Sequence, residues 1–98
     1  MLECKNINEV RENIDNLDRQ IVKLISERSK FVEQAAKFKT DTDDVKAPER
    51  VEAVIQKVKA IAEKNDVNPQ IIEQVYRTMI TCFINEELIH HSKINNKQ

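Results

Sequence analysis

INEVRENIDNLDRQIVKLISERSKFVEQAAKF, residues 7–38, is the stretch on which the fold turns. Ile7, Ile14, Ile21 and Ala35 fall seven apart or at a multiple of seven. Val10, Leu17, Leu24, Phe31 and Phe38 form a second row, offset by three. Two apolar rows with that offset are the a/d seam of a heptad helix. Asn6 or Asn8 can cap its start, with Glu9 and Glu12 in the first turns. No proline or glycine interrupts the pattern before Thr40. The spacing predicts a helix over about residues 8–39, roughly 48 Å long. A compact globule of 98 residues is only about 30–35 Å across. The helix therefore overhangs any monomeric fold, and its seam asks for a second chain. A homodimer is the simplest supply.

Working outward, residues 40–47 are polar and break the pattern, so they read as a mobile loop. Pro48 suits the first position of a second helix, whose stripe Val51, Val54, Ile55, Val58 and Ile61 runs to about Lys64. Residues 65–68 connect, with Asn65 suited to a left-handed C-terminal cap. Asn68 and Pro69 are a cap and first-position pair. A third helix follows to roughly His91, with Ile72, Val75, Tyr76, Met79, Cys82, Phe83 and Ile84 as its apolar positions. The tail from Ile94 to Gln98 is expected to fray. The expected architecture is all-α: three helices per chain, the first very long, in a single domain over residues 1–98.

Composition agrees and excludes several classes. The chain has no glycine, two prolines and four aromatic residues. A β-rich fold needs tight turns that lean on glycine for positive φ, so its absence argues against one, and a glycine-rich phosphate cradle is ruled out. Two cysteines cannot form a disulfide framework. The net charge of −1 argues against a nucleic-acid binder. No run approaches the roughly 18 apolar residues of a membrane span, and the start lacks the apolar run of a signal peptide. A cytosolic protein is expected, with Cys4 and Cys82 as reduced thiols.

The informative feature is a charge in the wrong place. The missing member of the first seam row is Arg28. An arginine at a core-facing position is costly unless it meets an anion. It is either a structural ion pair or specificity device, or a grip on a ligand carboxylate, for which its planar fork is apt. Lys39 lies eleven residues on, nearly on the same helical face about three turns later. One ligand with two acidic groups could touch both; taken alone, Lys39 is a solvated helix-end lysine. Arg11 lies about 25 Å from Arg28 along the axis. It reaches Arg28 only across an antiparallel pair of helices, and otherwise it is a surface residue paired with Asp15. Glu87 follows Phe83 by four and Ile84 by three, so it interrupts an apolar surface. Facing a core, such a carboxyl can keep its proton and donate a hydrogen bond; in a fraying helix end it is a solvated acid. The adjacent His90 and His91 point about 100° apart and cannot chelate together. Cys82 reads as core.

The run from Val10 to Arg28 resembles the opening of all-helical chorismate mutases, with R-x-x-I-D-x-L-D-x-x-I beginning at Arg11 and L-x-x-x-R ending at Arg28. The likeness continues through Ala36-Lys37-Phe38-Lys39 and Ala47-Pro48-Glu49-Arg50-Val51 to about His91. The wording around Phe38 and Ala47 is closest to the isochorismate-pyruvate lyase branch. The resemblance implies an intertwined homodimer with two sites, each built from both chains. By position, Arg28 and the Arg11 of the second chain would bind substrate carboxylates. Lys39 would contact a carboxylate and the ether oxygen of the enolpyruvyl bridge. Glu87 falls where many members have a glutamine on that oxygen, and Glu49 where a glutamate meets the substrate hydroxyl. Three positions depart from the typical bacterial mutase. Val45 stands for an aspartate, Pro48 for an arginine and Phe83 for a serine.

The chemistry implied is the pericyclic rearrangement of chorismate to prephenate, or the related elimination on isochorismate. Neither needs a nucleophile, base, metal or cofactor. The protein must hold a flexible dianion in a reactive conformation and stabilise charge developing on the ether oxygen. The expected partners are therefore a small dicarboxylate and a second copy of the chain, with no nucleic acid and no membrane. A non-catalytic helical dimer or adaptor is the reading from another class.

Overall fold

The computed structural model describes residues 3–96, with side chains through His90. Four helices appear: α1 (Ile7–Ala36), α2 (Thr42–Lys46), α3 (Pro48–Lys64) and α4 (Pro69–Asn96). The chain divides into two compact units, one ending at Lys37 and one beginning at Phe38.

The first unit is α1. Asn6 rather than Asn8 caps it: its Oδ1 accepts from the Glu9 amide at 2.9 Å, and Glu9 Oε2 accepts from the Lys5 amide at 2.7 Å. The first bond satisfies an amide that a helix start otherwise leaves unpaired, and the second ties the residue before the cap to the first turn. The heptad rows run along the helix as predicted, and none of its residues is buried. Leu24 and Phe31 are 62% and 69% exposed. The helix ends at Ala36, about three residues short of the expected end, where the Lys37 amide turns back to the Gln34 carbonyl. Phe38 and Lys39 thus lie beyond the helix. The eleven-residue spacing from Arg28 to Lys39 is not a helical-face relation.

The second unit is a helical hairpin with a short helix against it. Glu52 on α3 meets Arg77 on α4, and Lys59 meets Glu73. Partner numbers fall on α4 as they rise on α3, so the two helices are antiparallel. Ile55, fully buried, Ala62 and Ile80 form the core between them, and Val45 brings α2 onto α4. The buried row of α3 runs through Ile55 and Ala62, seven apart. Ile61, placed on the stripe by the sequence, is 56% exposed. On α4 the buried residue is Ile80, while Cys82 is exposed rather than core. Two residues past Ile80, Cys82 is turned about 200° around the helix.

The connectors differ from expectation in instructive ways. The polar segment 40–47 carries a one-turn helix. Asp41 caps α2, and Asp43 and Asp44 occupy its first turn. Its end, Ala47, takes a left-handed conformation at φ 37° and is followed by Pro48, the first residue of α3. After α3 the left-handed residue is Asp66 (φ 57°), not Asn65. The Val67 amide reaches the Ala62 carbonyl at 3.0 Å and the Asp66 amide reaches Glu63 at 3.3 Å. This is the paired C-terminal closure that glycine usually makes possible, here taken by a short polar residue that tolerates positive φ. Asn68 Oδ1 accepts from the Gln70 amide at 3.0 Å, as expected of a cap. α4 continues to Asn96, about five residues beyond the expected end. Of the tail expected to fray, Lys97 and Gln98 lie outside the described residues.

One charged cluster ties the hairpin together. Arg77 binds Glu52 through two parallel bonds, at 2.8 and 3.0 Å, and Glu73 through Nε at 2.8 Å. Lys59 completes the cluster at 3.1 Å from Glu73. The Arg77 hydrogen bonds hold both carboxyls below their ordinary value of 4.5, with Lys59 adding to the effect at Glu73. Folded values that are depressed contribute stability above pH 4.5, which is lost as pH falls through the lowered values. Thermal melts should therefore show wild type above Arg77→Met near neutrality. The gap should close as the pH drops below 4.5. A gap independent of pH would mean that Arg77 does not act through these two carboxylates.

Candidate active site

The second unit brings together two of the residues singled out from the sequence, 48 positions apart. Lys39 Nζ donates to both oxygens of Glu87, at 3.0 Å to Oε2 and 3.2 Å to Oε1. The two side chains are only 21% and 14% exposed. Lys39 sits on the irregular backbone between Lys37 and α2, where no helix fixes its direction. Glu87 sits on α4 about two turns beyond Ile80, on the face that carries the half-buried Phe83 and Ile84. Glu87 is thus no solvated helix-end acid. It is a half-buried carboxylate facing a cation, in a setting of lowered dielectric where an anionic ligand would feel Lys39 strongly.

Of the other candidates, one belongs to this unit and two to the first. Glu49 is exposed in the first turn of α3; the Lys39 ammonium is bonded to Glu87 instead. Arg11 and Arg28 belong to α1 in the first unit, where Arg11 is exposed and Arg28 is partly buried. The three positions that depart from the typical mutase pattern have structural employment. Val45 is only 3% exposed, Pro48 opens α3, and Phe83 is half-buried on α4. His90 is exposed, and the side chain of His91 lies outside the described residues. No group of three or more His, Cys, Asp or Glu among the described residues is placed to hold a metal ion.

Two residues that the sequence reading passed over border this pair. Asp44 Oδ2 accepts from the Thr40 amide at 3.0 Å and from the Thr40 hydroxyl at 2.7 Å. The Asp44 amide donates to Asp41 Oδ1 at 2.9 Å. The Thr40 hydroxyl and amide, with smaller help from the Asp41 backbone amide and the Lys39 charge, hold the Asp44 carboxyl below its ordinary value of 3.8. The available signal was an aspartate followed three residues later by another acid, which is the mark of a helix start.

The family model of chorismate mutase type II matches residues 10–88, most of the chain, from within α1 to within α4. The chain belongs to the chorismate mutase type II family. Among its relatives, an isochorismate pyruvate lyase of Pseudomonas aeruginosa is 30% identical over 86 residues, covering 88% of this chain and 85% of the relative. A chorismate mutase of Methanocaldococcus jannaschii is 26% identical over 91 residues, covering 92% and 83%. The T-protein of Haemophilus influenzae is 33% identical over 92 residues, covering 92% of this chain but 24% of that longer protein. All the helical positions singled out from the sequence, Arg11, Arg28 and Glu87, fall inside the family match, as do Lys39 and Glu49 between and at the head of helices.

Proposed function

We propose that the chain is a chorismate mutase acting as a homodimer, with Arg28, Lys39 and Glu87 at the reaction centre and Arg11 and Glu49 binding substrate. The carrying observation is the half-buried Lys39–Glu87 pair in a chain of this family. Arg28 and Arg11 hold the two carboxylates of chorismate, so the flexible dianion is bound in its folded, reactive shape. Lys39 faces the ether oxygen and stabilises the negative charge that grows there as the carbon–oxygen bond breaks. A protonated Glu87 donates a second hydrogen bond to the same atom; an ionised carboxylate only accepts. Binding of the substrate dianion places Lys39 between two acceptors, so the ammonium passes from Glu87 to the ligand. The exposed heptad rows of α1 support the dimer, since a second copy would cover them and bring its Arg11 to the site. No described helix is long and apolar enough to cross a membrane, and Cys4 and Cys82 are free thiols. Both facts suit an enzyme of the cytosol.

Isochorismate-pyruvate lyase is the second reading. The lyase relative supports it, with 30% identity over 85% of its length. One assay decides: purified protein with chorismate and with isochorismate, comparing kcat/KM. Prephenate formation at the higher kcat/KM is expected. Release of pyruvate at the higher kcat/KM would make the lyase the main activity, and turnover of neither would favour a non-catalytic helical dimer.

The role given to Glu87 has its own test. Glu87→Ala, which leaves no donor for the ether oxygen, should lower kcat/KM for chorismate by about 10–100-fold. Glu87→Gln offers an amide N–H in the same place, so it should keep most of the wild-type rate. A folded Glu87→Ala as active as wild type would remove the ether-oxygen donor from the mechanism.

A further inference from the structure

We propose that Thr40 and Asp44 are positioning residues for Lys39: the Asp44 carboxylate clasps Thr40 and so fixes the chain that delivers the lysine ammonium to Glu87. This deepens the reading of Lys39 as a substrate-binding cation and rests on it.

Lys39 needs such a device. It follows the end of α1 by three residues and precedes the start of α2 by three, so no helical hydrogen bond sets its backbone. Its side chain is a flexible four-carbon stem carrying a point charge. Order has to come from its neighbours, and the next residue supplies it. Thr40 gives both its amide and its hydroxyl to one oxygen of Asp44. Asp44 is itself held, since its amide is bonded to the cap residue Asp41. The next residue, Val45, is 3% exposed and seats α2 against α4. Glu87 projects from that same α4. Residues 39–45 therefore touch α4 at both ends, through an ion pair at Lys39 and an apolar contact at Val45, and the Thr40–Asp44 clasp closes the span between them. Bonds to a charged acceptor are the stronger kind. Asp44 stays ionised at neutral pH because its carboxyl is held low, so the clasp is present under working conditions.

The test uses the full-length protein and two readouts. Asp44→Ala removes the acceptor; Asp44→Asn keeps an acceptor oxygen without the charge. Asp44→Ala should lower kcat/KM for chorismate by about 10–100-fold, the range set by the loss of a charged hydrogen bond and by the sensitivity of reaction rate to small misplacements. Asp44→Asn should recover most of that loss. The second readout is NMR of the free protein. The Lys39 ammonium signal should be sharp in wild type and Asp44→Asn, and broadened by fast exchange in Asp44→Ala. Should Asp44→Ala fail to fold by thermal melt, Thr40→Val, which removes one hydroxyl and retains the amide, carries both measurements at reduced size. An unchanged kcat/KM or an unchanged ammonium signal in the folded variant would overturn the positioning role. If wild type turns over neither chorismate nor isochorismate, the functional reading fails by itself. The ammonium signal then decides the clasp without it.

Discussion

Arg28→Ala is expected to lower kcat/KM for chorismate by about 10²–10³-fold, with the oligomeric state unchanged. The magnitude is that of deleting one preorganised electrostatic contact to a reacting anion. The dimer should survive because the seam has eight other apolar members on α1, from Ile7 to Ala35, and alanine at a seam position is tolerated. Removing a charge from an apolar row can even stabilise the assembly. Loss of rate without loss of the dimer is the combination that separates a ligand grip from a structural ion pair. The measurements are steady-state kinetics and light scattering on the same sample. Near-normal activity in Arg28→Ala would remove Arg28 from the site, and loss of both activity and the dimer would make it a structural residue.

Lys39→Ala should cost about as much, 10²–10³-fold in kcat/KM, and its interpretation needs a partner variant. In the free protein the ammonium is bonded to Glu87. Deleting it leaves a half-buried carboxylate without its cation, which costs stability as well as rate. Glu87→Gln and the double variant complete a cycle. If both groups act on one oxygen of the substrate, their effects on kcat/KM are non-additive, and the double variant is less impaired than the product of the single losses. Lys39→Arg is expected to restore the charge but little of the rate, because a planar fork does not replace a compact ammonium in a fitted position. Strict additivity would mean that the two residues act on different steps.

The sequence made the helices legible to different degrees. The heptad rows of α1 were readable because a seam that repeats over thirty residues leaves no other periodicity. Its end was not, since Phe38 continued the apolar row that the backbone abandons at Ala36. That error placed Lys39 on a helical face shared with Arg28, when its direction is set instead by Thr40 and Asp44. The segment 40–47 looked like a loop because its charge hid the cap pattern of Asp41 and Asp44. Glu87 was found by its position on an apolar face, but its partner was not, because no spacing rule links residues 39 and 87. On α4, the seven apolar positions read as the stripe included the exposed Cys82 and left out Ile80, which only packing marks as buried.

A helix of thirty residues with no buried side chain has a further consequence in the proposed dimer. Its order becomes a collective property of the solution, because its apolar rows are covered by a second copy only on encounter. Assembly and the completion of α1 are then one event, second order in protein, and each seam substitution is felt twice across the two-fold axis. Specific activity should decline on dilution together with the helical signal of α1, while the hairpin of α3 and α4 keeps its own core of Ile55, Ala62 and Ile80. The abundance of the protein in the cell would then set the fraction of it that is an enzyme.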